Sequence, residues 1–392
     1  MTTTINNKNK KPNVPNLRFK EFQGEWEKCK LGNLCNVLMC KRILASQTNT
    51  EEGVPFYKIG TIGNAPDAYI SKELFDDYKT KYNYPHKGEV MITCAGTVGK
   101  CVIYDGKDAY YQDSNIVWID NPSQCISNSF LYHLLAKVDW RKLNSTTIIR
   151  IYNDDLRNLK LSYPQIEEQQ KISRLLSLLD DRIATQNKII EDLKKLKSAI
   201  IEMEYSHMTK SITHIGDFIE QTSKRNKDSA IQNVLSVSNS QGFIQQNEQF
   251  ENRIVASDDT SNYKIVERND FAFNPARINV GSIARLITFE RGIVSPMYIC
   301  FRTKDNLFPV YLDYYLESRQ FFIEIQKRLE GSVRQCLSFE GLCNIPLCVP
   351  TVEIQQQIGK RLSALAQEIK LETDFLELLK KQKKFLLHQM FI

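Results

Sequence analysis

Two stretches of the chain carry apolar residues that recur at steps of three and four positions. This spacing is typical of the face that one helix of a coiled coil turns toward its partner. The first stripe consists of Ile172, Leu176, Leu179, Ile183, Ile190 and Leu193. The second stripe consists of Ile358, Leu362, Leu365, Ile369, Leu376 and Leu379. Because no Gly or Pro occurs between Gln165 and Tyr205, we predict one helix of about 40 residues there, ~60 Å long.

A helix of that length exceeds the diameter of a domain of this size. This favours two long helices packed on each other over two surface helices of separate domains. Polar residues interrupt both stripes at matching places, Gln186 with Glu372 and Lys197 with Lys383. Because the centres of an antiparallel pair meet, we predict that Gln186 faces Glu372 and helps to fix the register.

The chain repeats itself around these stripes. The phrase "PQIEEQQKI" begins at Pro164 and "PTVEIQQQI" begins at Pro350, 186 residues later. Upstream, "KLGNLCNV" (30–37) resembles "HIGDFIEQ" (214–221), and "TVGK" (97–100) resembles "NVGS" (279–282). The pattern indicates a tandem duplication whose units are alike at their ends and different in the middle. Two glutamines in each phrase are predicted to lie where the preceding segment, the helix and a partner subunit meet: Gln169 and Gln170, and Gln355 and Gln356.

The segment before each long helix contains short apolar runs bounded by Gly, Asp and Asn, which predict strands. The runs are VPFYKIG, EVMITCAG, CVIYDG and SNIVWID in the first unit, and NVLSVSN, DFAFNPA, IARLITFE and IVSPMYICFR in the second. The predicted fold class is α+β. Two mixed α/β domains are each followed by a long helix, and the helices form an antiparallel coiled coil with pseudo-two-fold symmetry.

The predicted boundaries follow the duplication. They are a flexible N-terminal arm at 1–16, a first domain at 17–163, a central helix at 164–210, a second domain at 211–349 and a C-terminal helix at 350–392.

Composition places the chain among globular proteins, with 42% hydrophobic and 25% charged residues among 392. No apolar run is long enough to span a bilayer and the N-terminus has no apolar signal region, so we expect a cytoplasmic protein without a membrane partner. The ten cysteines form no CxxC pair, which favours reduced thiols over a metal site. The net charge of +6 permits nucleic acid as a partner without favouring it.

The search for catalytic motifs gives no candidate. "CAGTVGKC" (94–101) has Cys where a phosphate-binding P-loop needs Gly and Ser or Thr. "NPAR" (274–277) lacks the second proline and the aromatic residue of the amino-methyltransferase tetrad. The five histidines are scattered without metal-ligand spacing. We therefore predict a binding protein with no catalytic residue and no metal site.

Small polar and basic residues lie on or beside the predicted turns, and such residues suit contacts to phosphates and base edges of DNA. In the first domain the candidates are Lys41, Arg42, Lys58, Thr61, Lys79, Lys81, Tyr82, Thr97 and Lys100. In the second domain they are Lys224, Arg225, Ser236, Ser238, Asn274, Arg277, Asn279 and Ser282. Arg150 and Arg334 stand shortly before the two helices, where a structural or backbone-contact role is favoured over base recognition.

Taken together, these features resemble the specificity subunits of type I restriction–modification systems. The resemblance rests on "PNLRFKEFQGEWEKCKLGNL" (15–34), on the two proline–IxxQQxI helix starts and on the duplicated domain–helix order. It implies two target-recognition domains that each read one half of a split double-stranded DNA sequence. It further implies that the helices bind methylation subunits, two in the expected assembly, which restriction subunits join.

By the same resemblance, this chain is the non-catalytic subunit of a restriction endonuclease and adenine methyltransferase complex. It carries no cofactor itself, and S-adenosylmethionine, ATP and Mg are expected on the partner subunits. Base contacts in the family follow no transferable motif.

Two alternatives are open at this point. A single-chain restriction–methyltransferase would need the motifs that are missing here. A coiled-coil adaptor that does not bind DNA is compatible with the nearly balanced charge.

Overall fold

A computed structural model describes residues 12–142, 150–206, 213–239, 241–246, 259–331 and 335–392. The chain divides into two compact units, and each is described by itself. The first contains Met1–Gln186 and Phe375–Ile392, and the second contains Asn187–Asp374. Each unit therefore combines one recognition domain with part of both long helices.

The first recognition domain contains nine strands and three helices among its described residues. The strands are β1 (Glu27–Lys30), β2 (Asn36–Leu38), β3 (Val54–Tyr57), β4 (Tyr69–Ile70), β5 (Val90–Thr93), β6 (Cys101–Ile103), β7 (Tyr110–Tyr111), β8 (Ile116–Asp120) and β9 (Lys160–Tyr163). The helices are α1 (Lys72–Lys81), α2 (Asn128–Lys137) and α3 (Asn153–Arg157). Short 3-10 turns lie at Leu31–Asn33, Ala45–Gln47 and Trp140–Lys142.

An antiparallel sheet in the order β2-β8-β5-β6 lies at the centre of this domain. Successive side chains of a strand point to opposite faces, and both faces of this sheet are covered. Val117 and Ile119 of β8 pack toward α2 and the long helices, whereas Ile116 and Trp118 pack toward α1 and the β4-β3-β7 sheet. The predicted strand IVWID is present as β8, and its four apolar residues are buried on the two faces of the sheet.

The second recognition domain has eight strands and four helices in its described part. The strands are β10 (Ile219–Thr222), β11 (Val234–Ser238), β12 (Gly242–Gln245), β13 (Lys264–Glu267), β14 (Phe271–Phe273), β15 (Ile283–Arg285), β16 (Arg291–Val294) and β17 (Ile299–Thr303). The helices are α5 (Ile215–Phe218), α6 (Pro309–Leu316), α7 (Arg319–Gln326) and α8 (Phe339–Cys343), and a 3-10 turn lies at Ile278–Val280. Two four-stranded sheets have the orders β10-β17-β14-β15 and β12-β11-β16-β13.

The two long helices are α4 (Ile166–Tyr205) and α9 (Val352–Met390). In the first unit they run antiparallel. Asp180 of α4 pairs with Lys383 of α9, and Arg182 lies over the Phe375 ring at 5.2 Å. In the second unit Glu204 pairs with Arg361 at 2.5 Å. The predicted fold class, with two mixed domains each followed by a long helix, is confirmed.

Burial follows the predicted apolar stripes. Their buried members are Ile172, Leu176, Leu179, Ile190, Ile358, Leu362, Leu376 and Leu379, and their half-buried members are Ile183, Leu193, Leu365 and Ile369. Ile172 and Leu176 lie in the core of the first recognition domain, and Ile358 and Leu362 lie in that of the second. The start of each stripe therefore packs on its own domain as well as facing the other helix. Gln186 is buried and Glu372 is half-buried, and their direct pairing stays a prediction.

The domains contain more helix than their strand-like runs predict. Helix α2 begins where the Ser127 hydroxyl accepts a hydrogen bond from the Phe130 N–H, which caps the helix N-terminus. Helix α6 begins at Pro309, which is favoured at a first helical position. The run IVSPMYICFR does not form one strand but supplies parts of β16 and β17 with a turn between them, because a proline inside a strand removes a ladder donor.

Each unit has a glycine at an equivalent position that lies close to the last residue of a short helix. A Cβ on Gly32 would lie 3.0 Å from Cβ and 3.1 Å from the carbonyl oxygen of Arg157. A Cβ on Gly216 would lie 2.7 Å from Cβ and 3.2 Å from the carbonyl oxygen of Cys343. The shared "LGN" and "IGD" of the two units thus mark the place where the start of each domain packs against the short helix that precedes the long one.

We expect Gly216→Ala to lower the free energy of unfolding by about 1–3 kcal/mol, because the added methyl would overlap backbone and side-chain atoms of Cys343. Thermal denaturation of the full chain measures the change. Gly60→Ala is the matched control, since no atom lies within 4 Å of its Cβ position. Equal melting temperatures for the two variants would contradict the close approach.

Candidate nucleic-acid interface

Five of the predicted DNA-contacting residues of the first domain lie near one another at the β3 and β5–β6 turns. The Lys58 N–H donates to the Thr61 hydroxyl at 3.0 Å, and Lys100 Nζ donates to the Ile62 carbonyl. Arg42 and Lys58 line a common cavity of about 340 Å³, and Thr97 lies in the turn that leads to Lys100. We call Arg42, Lys58, Thr61, Thr97 and Lys100 the turn cluster.

The other predicted residues of this domain surround α1. Lys41 Nζ lies 5.2 Å from the centre of the Tyr82 ring, and Lys79 Nζ lies 4.9 Å from that of Tyr84. Lys79 and Tyr82 line an open cavity of about 570 Å³, and Lys81 ends α1. We call Lys41, Lys79, Lys81 and Tyr82 the α1 cluster.

Most of these cations are paired with carboxylates within the chain. The pairs are Arg42–Asp113 at 2.9 Å, Lys58–Asp67 at 3.0 Å, Lys79–Asp108 at 2.9 Å and Lys81–Asp77 at 2.5 Å. Hydrogen bonds from Lys72 and Lys79 lower the pKa of Asp108, so that this acid is charged at neutral pH. On contact with DNA, the cation of such a pair would exchange its carboxylate partner for a phosphate. Lys41 has no carboxylate partner among the residues that the structure describes.

In the second domain four predicted residues share one loop between β14 and β15. The Asn274 N–H donates to the Ser282 carbonyl at 3.0 Å, and the Ser282 N–H donates to the Arg277 carbonyl at 3.1 Å, so that backbone hydrogen bonds cross this loop. Arg277 is exposed, and Asn274 and Asn279 are half-buried. Of the four, Arg277 is therefore the side chain most available for contact with DNA.

Two predicted residues of the second domain are turned inward. Ser236 on β11 and Ser282 are both buried, and the Ser282 hydroxyl donates to the Val237 carbonyl at 3.1 Å. Because both side chains are buried, they contribute to the packing of the domain and are not available for contact with DNA. Ser238 is half-buried at the end of β11.

Lys224 and Arg225 lie at another edge of this domain. Lys224 is exposed, and Arg225 Nη1 donates to the Asn262 side chain at 2.8 Å. The predicted structural role of Arg150 agrees with the bond from its Nη2 to the Ser114 carbonyl at 3.2 Å. Its counterpart Arg334 lies outside the described residues, as does the N-terminal arm up to residue 11.

Sequence inspection passed over one polar loop beside the turn cluster. Gln112, Asp113 and Asn115 follow β7 and line the same cavity as Arg42 and Lys58. The signal was available, since the run QDSN separates two apolar runs. Its residues are not among the predicted contacts, because DNA contacts were expected from basic and small polar side chains and an acid matters here only through the arginine that it contacts.

Each recognition domain is attached to its long helix by one buried glutamine. The Gln169 amide donates to the carbonyls of Cys125 at 2.9 Å and Pro164 at 2.8 Å, and its oxygen accepts from the Ser127 N–H at 2.7 Å. The bonds of Gln355 correspond one to one. Its amide donates to the carbonyls of Asn306 at 3.1 Å and Pro350 at 2.8 Å, and its oxygen accepts from the Phe308 N–H at 2.7 Å.

The two glutamines are 0% exposed, and their partners are the residues just before α2 and α6. Their hydrogen bonds, which we call the glutamine joint, connect each domain to its long helix. Neither amide remains at the surface to contact another subunit. Their neighbours differ, because Gln170 is exposed and Gln356 is half-buried. Beside this position in the first unit, Arg18 makes a bidentate pair with the buried Glu168 at 2.7 and 2.8 Å.

We expect Gln169→Ala to destabilise the first unit by about 1–3 kcal/mol, because it leaves the half-buried Ser127 N–H and two carbonyls without their partner. Hydrogen exchange should accelerate at Ser127 and in the first turn of α2, with no change at Phe308. Gln170→Ala is the control for an exposed neighbour. The role of the joint is contradicted if both variants leave exchange at Ser127 unchanged.

Other chemistry has little support in the described part of the chain. No group of three His, Cys, Asp or Glu residues there is placed to hold a metal ion. Burial raises the pKa of Cys35, Cys40, Cys94 and Cys101 to about 12, so these thiols are poor nucleophiles. A search of the same residues finds no helix with the length and apolar character to cross a membrane.

Comparison with known proteins relates both halves of the chain to one family. Residues 23–195 and 212–381 each match the family described as type I restriction modification DNA specificity domain. A putative type I restriction enzyme specificity subunit of Haemophilus influenzae is 49% identical over 163 residues, which span 42% of each chain. The putative type I restriction enzyme MjaX specificity subunit of Methanocaldococcus jannaschii is 23% identical over 96% of this chain and 95% of its own.

A solved structure agrees with these matches at the level of the fold. The S subunit of a type I restriction–modification system from M. genitalium superposes with a TM-score of 0.60 at 16% identity, over 97% of this chain and 99% of the other.

Proposed function

The chain belongs to the family of type I restriction–modification DNA specificity subunits, and we propose that it reads a two-part double-stranded DNA target with one domain per half-site. The observation that carries this proposal is the duplication. Both domains are joined to their helices by the same glutamine bonds, whereas their exposed loops differ in length and side chains. A constant attachment with variable loops suits two domains that recognise different sequences.

The chemistry of the loops supports DNA as the ligand. The turn cluster and the α1 cluster supply lysine and arginine for phosphates and guanine edges, and the Asn274–Ser282 loop adds arginine and asparagine. Because most of these cations are paired with carboxylates, the two clusters are compatible with a modest net charge of +6. Recognition through a few paired cations needs no strongly basic surface.

The long helices support the proposed assembly with further subunits. Several large apolar residues on them are exposed, with exposures of 59% at Leu178, 62% at Met203, 60% at Leu378 and 58% at Phe385. Apolar side chains of this size on a helix suit a protein partner. In this proposal two methylation subunits bind the helices and restriction subunits join them. Those partner subunits bind S-adenosylmethionine, ATP and Mg, and the complex acts in the cytoplasm.

Exchanging residues 38–163 for the corresponding segment of another specificity subunit should change one half-site of the methylated motif and leave the other half-site and the spacer unchanged. The segment contains both clusters of the first domain and ends before the Gln169 joint. Sequencing of DNA methylated by the reconstituted complex measures the motif.

The reciprocal exchange, confined to the second domain, is the control and should alter the other half-site. Altered bases in both half-sites after one exchange would contradict a division of labour between the domains. Absence of salt-dependent DNA binding, with and without methylation subunits, would instead favour the adaptor alternative.

A further inference from the structure

The contact between Arg42 and Asp113 differs from the ion pairs that the other predicted DNA-contacting cations of the first domain make. Arg42 Nε donates to Asp113 Oδ2 at 2.9 Å. The Asp113 side chain is only 17% exposed, while the acids that pair with Lys58, Lys79 and Lys81 are 45–57% exposed. The arginine itself is 66% exposed. The mostly buried Asp113 thus contacts Nε of Arg42, while the end of the arginine side chain reaches solvent.

The loop that carries Asp113 is anchored along its length. The Gln112 N–H donates to the Tyr57 carbonyl at 2.9 Å, and the Cys94 N–H donates to the Asn115 carbonyl at 2.7 Å. Between them Ser114 has a φ of 54°, a left-handed conformation that costs a non-glycine residue free energy and persists only where its surroundings impose it. Arg150 Nη2 donates to the Ser114 carbonyl at 3.2 Å and helps to impose it.

The backbone before Arg42 is anchored as well. The buried Tyr110 hydroxyl donates to the Lys41 carbonyl at 3.0 Å, and the preceding Cys40 is 3% exposed. Both partners of the ion pair therefore stand on fixed backbone. Because Asp113 takes Nε, the terminal amino groups Nη1 and Nη2 remain as two parallel donors. Such a fork matches the O6 and N7 acceptors that guanine presents in the major groove.

From this geometry we infer that Arg42 reads a guanine in the half-site of the first domain, with Asp113 as its positioning residue. The inference rests on the proposed function and names one base contact within it. Asp113 contributes by limiting the rotamers of Arg42 before DNA arrives, which reduces the entropy lost on binding. Lys58, Gln112 and Asn115 line the same cavity and border the position where the base edge would lie.

The test uses the full chain in complex with its methylation subunits, acting on a DNA library with randomised sequence. Methylated molecules are sequenced to obtain the base preference at every position of the motif. Both Arg42→Lys and Asp113→Asn should reduce the preference for guanine at one and the same position by roughly tenfold. The second half-site and the spacer should be unchanged. In the double variant, Asp113→Asn should cause no further loss, because it acts through Arg42.

Asp77→Asn is the matched control, because Asp77 also pairs with a predicted DNA-contacting cation, Lys81, but on the exposed face of α1. This variant should leave the methylated motif unchanged. Because Arg42 is largely exposed, Arg42→Lys tests the inference even where Asp113→Asn impairs folding. The inference is overturned if the two variants lower methylation equally at all sequences, or if the affected position is not a G·C pair. A wild-type complex that yields no two-part motif would instead refute the proposed function.

Discussion

The structure depends on two buried amide groups that must find all their hydrogen bonds inside the protein. A buried polar group without partners costs free energy, whereas a fully bonded one restricts its neighbours to a single arrangement. Gln169 and Gln355 each satisfy one N–H and two carbonyls that no helix or sheet would otherwise pair. The recognition domain can therefore not turn on its long helix without breaking several buried hydrogen bonds at once. This constraint gives the exposed loops a fixed position relative to the helix.

The parts of the chain that attach each domain to its long helix are alike in the two units, whereas the exposed loops differ. The glutamine joint and the close approach at Gly32 and Gly216 recur in both units with equivalent partners. The exposed loops share no such pattern, and their cations are arranged differently in the two domains. Loops on a rigid support are free to vary without loss of the fold, which is what a protein with changeable DNA specificity requires.

Several features were predictable because they depend on local sequence. The long helices follow from a heptad pattern without Gly or Pro, and β5 and β8 follow from apolar runs of strand length. Helices α2 and α6 were missed because their apolar residues lie close to the strand-like runs, and only a Ser127 cap and a Pro309 start distinguish them. Ser236 and Ser282 looked like surface groups, but strand alternation and a loop hydrogen bond turn them inward. The loop that contains Asp113 is visible in the sequence as a polar break between two apolar runs. The pairing of Asp113 with Arg42 is not, because the two residues are 71 positions apart.

We propose that the paired helices set the distance between the two half-sites. Adding one heptad to α4 between Gln186 and Lys197, and one to α9 between Glu372 and Lys383, lengthens the helical pair by about 10 Å. Sequencing of the methylated motif should then show the same two half-sites with a spacer that is longer by up to about three base pairs, at ~3.4 Å each. Altered half-sites with an unchanged spacer would contradict the account.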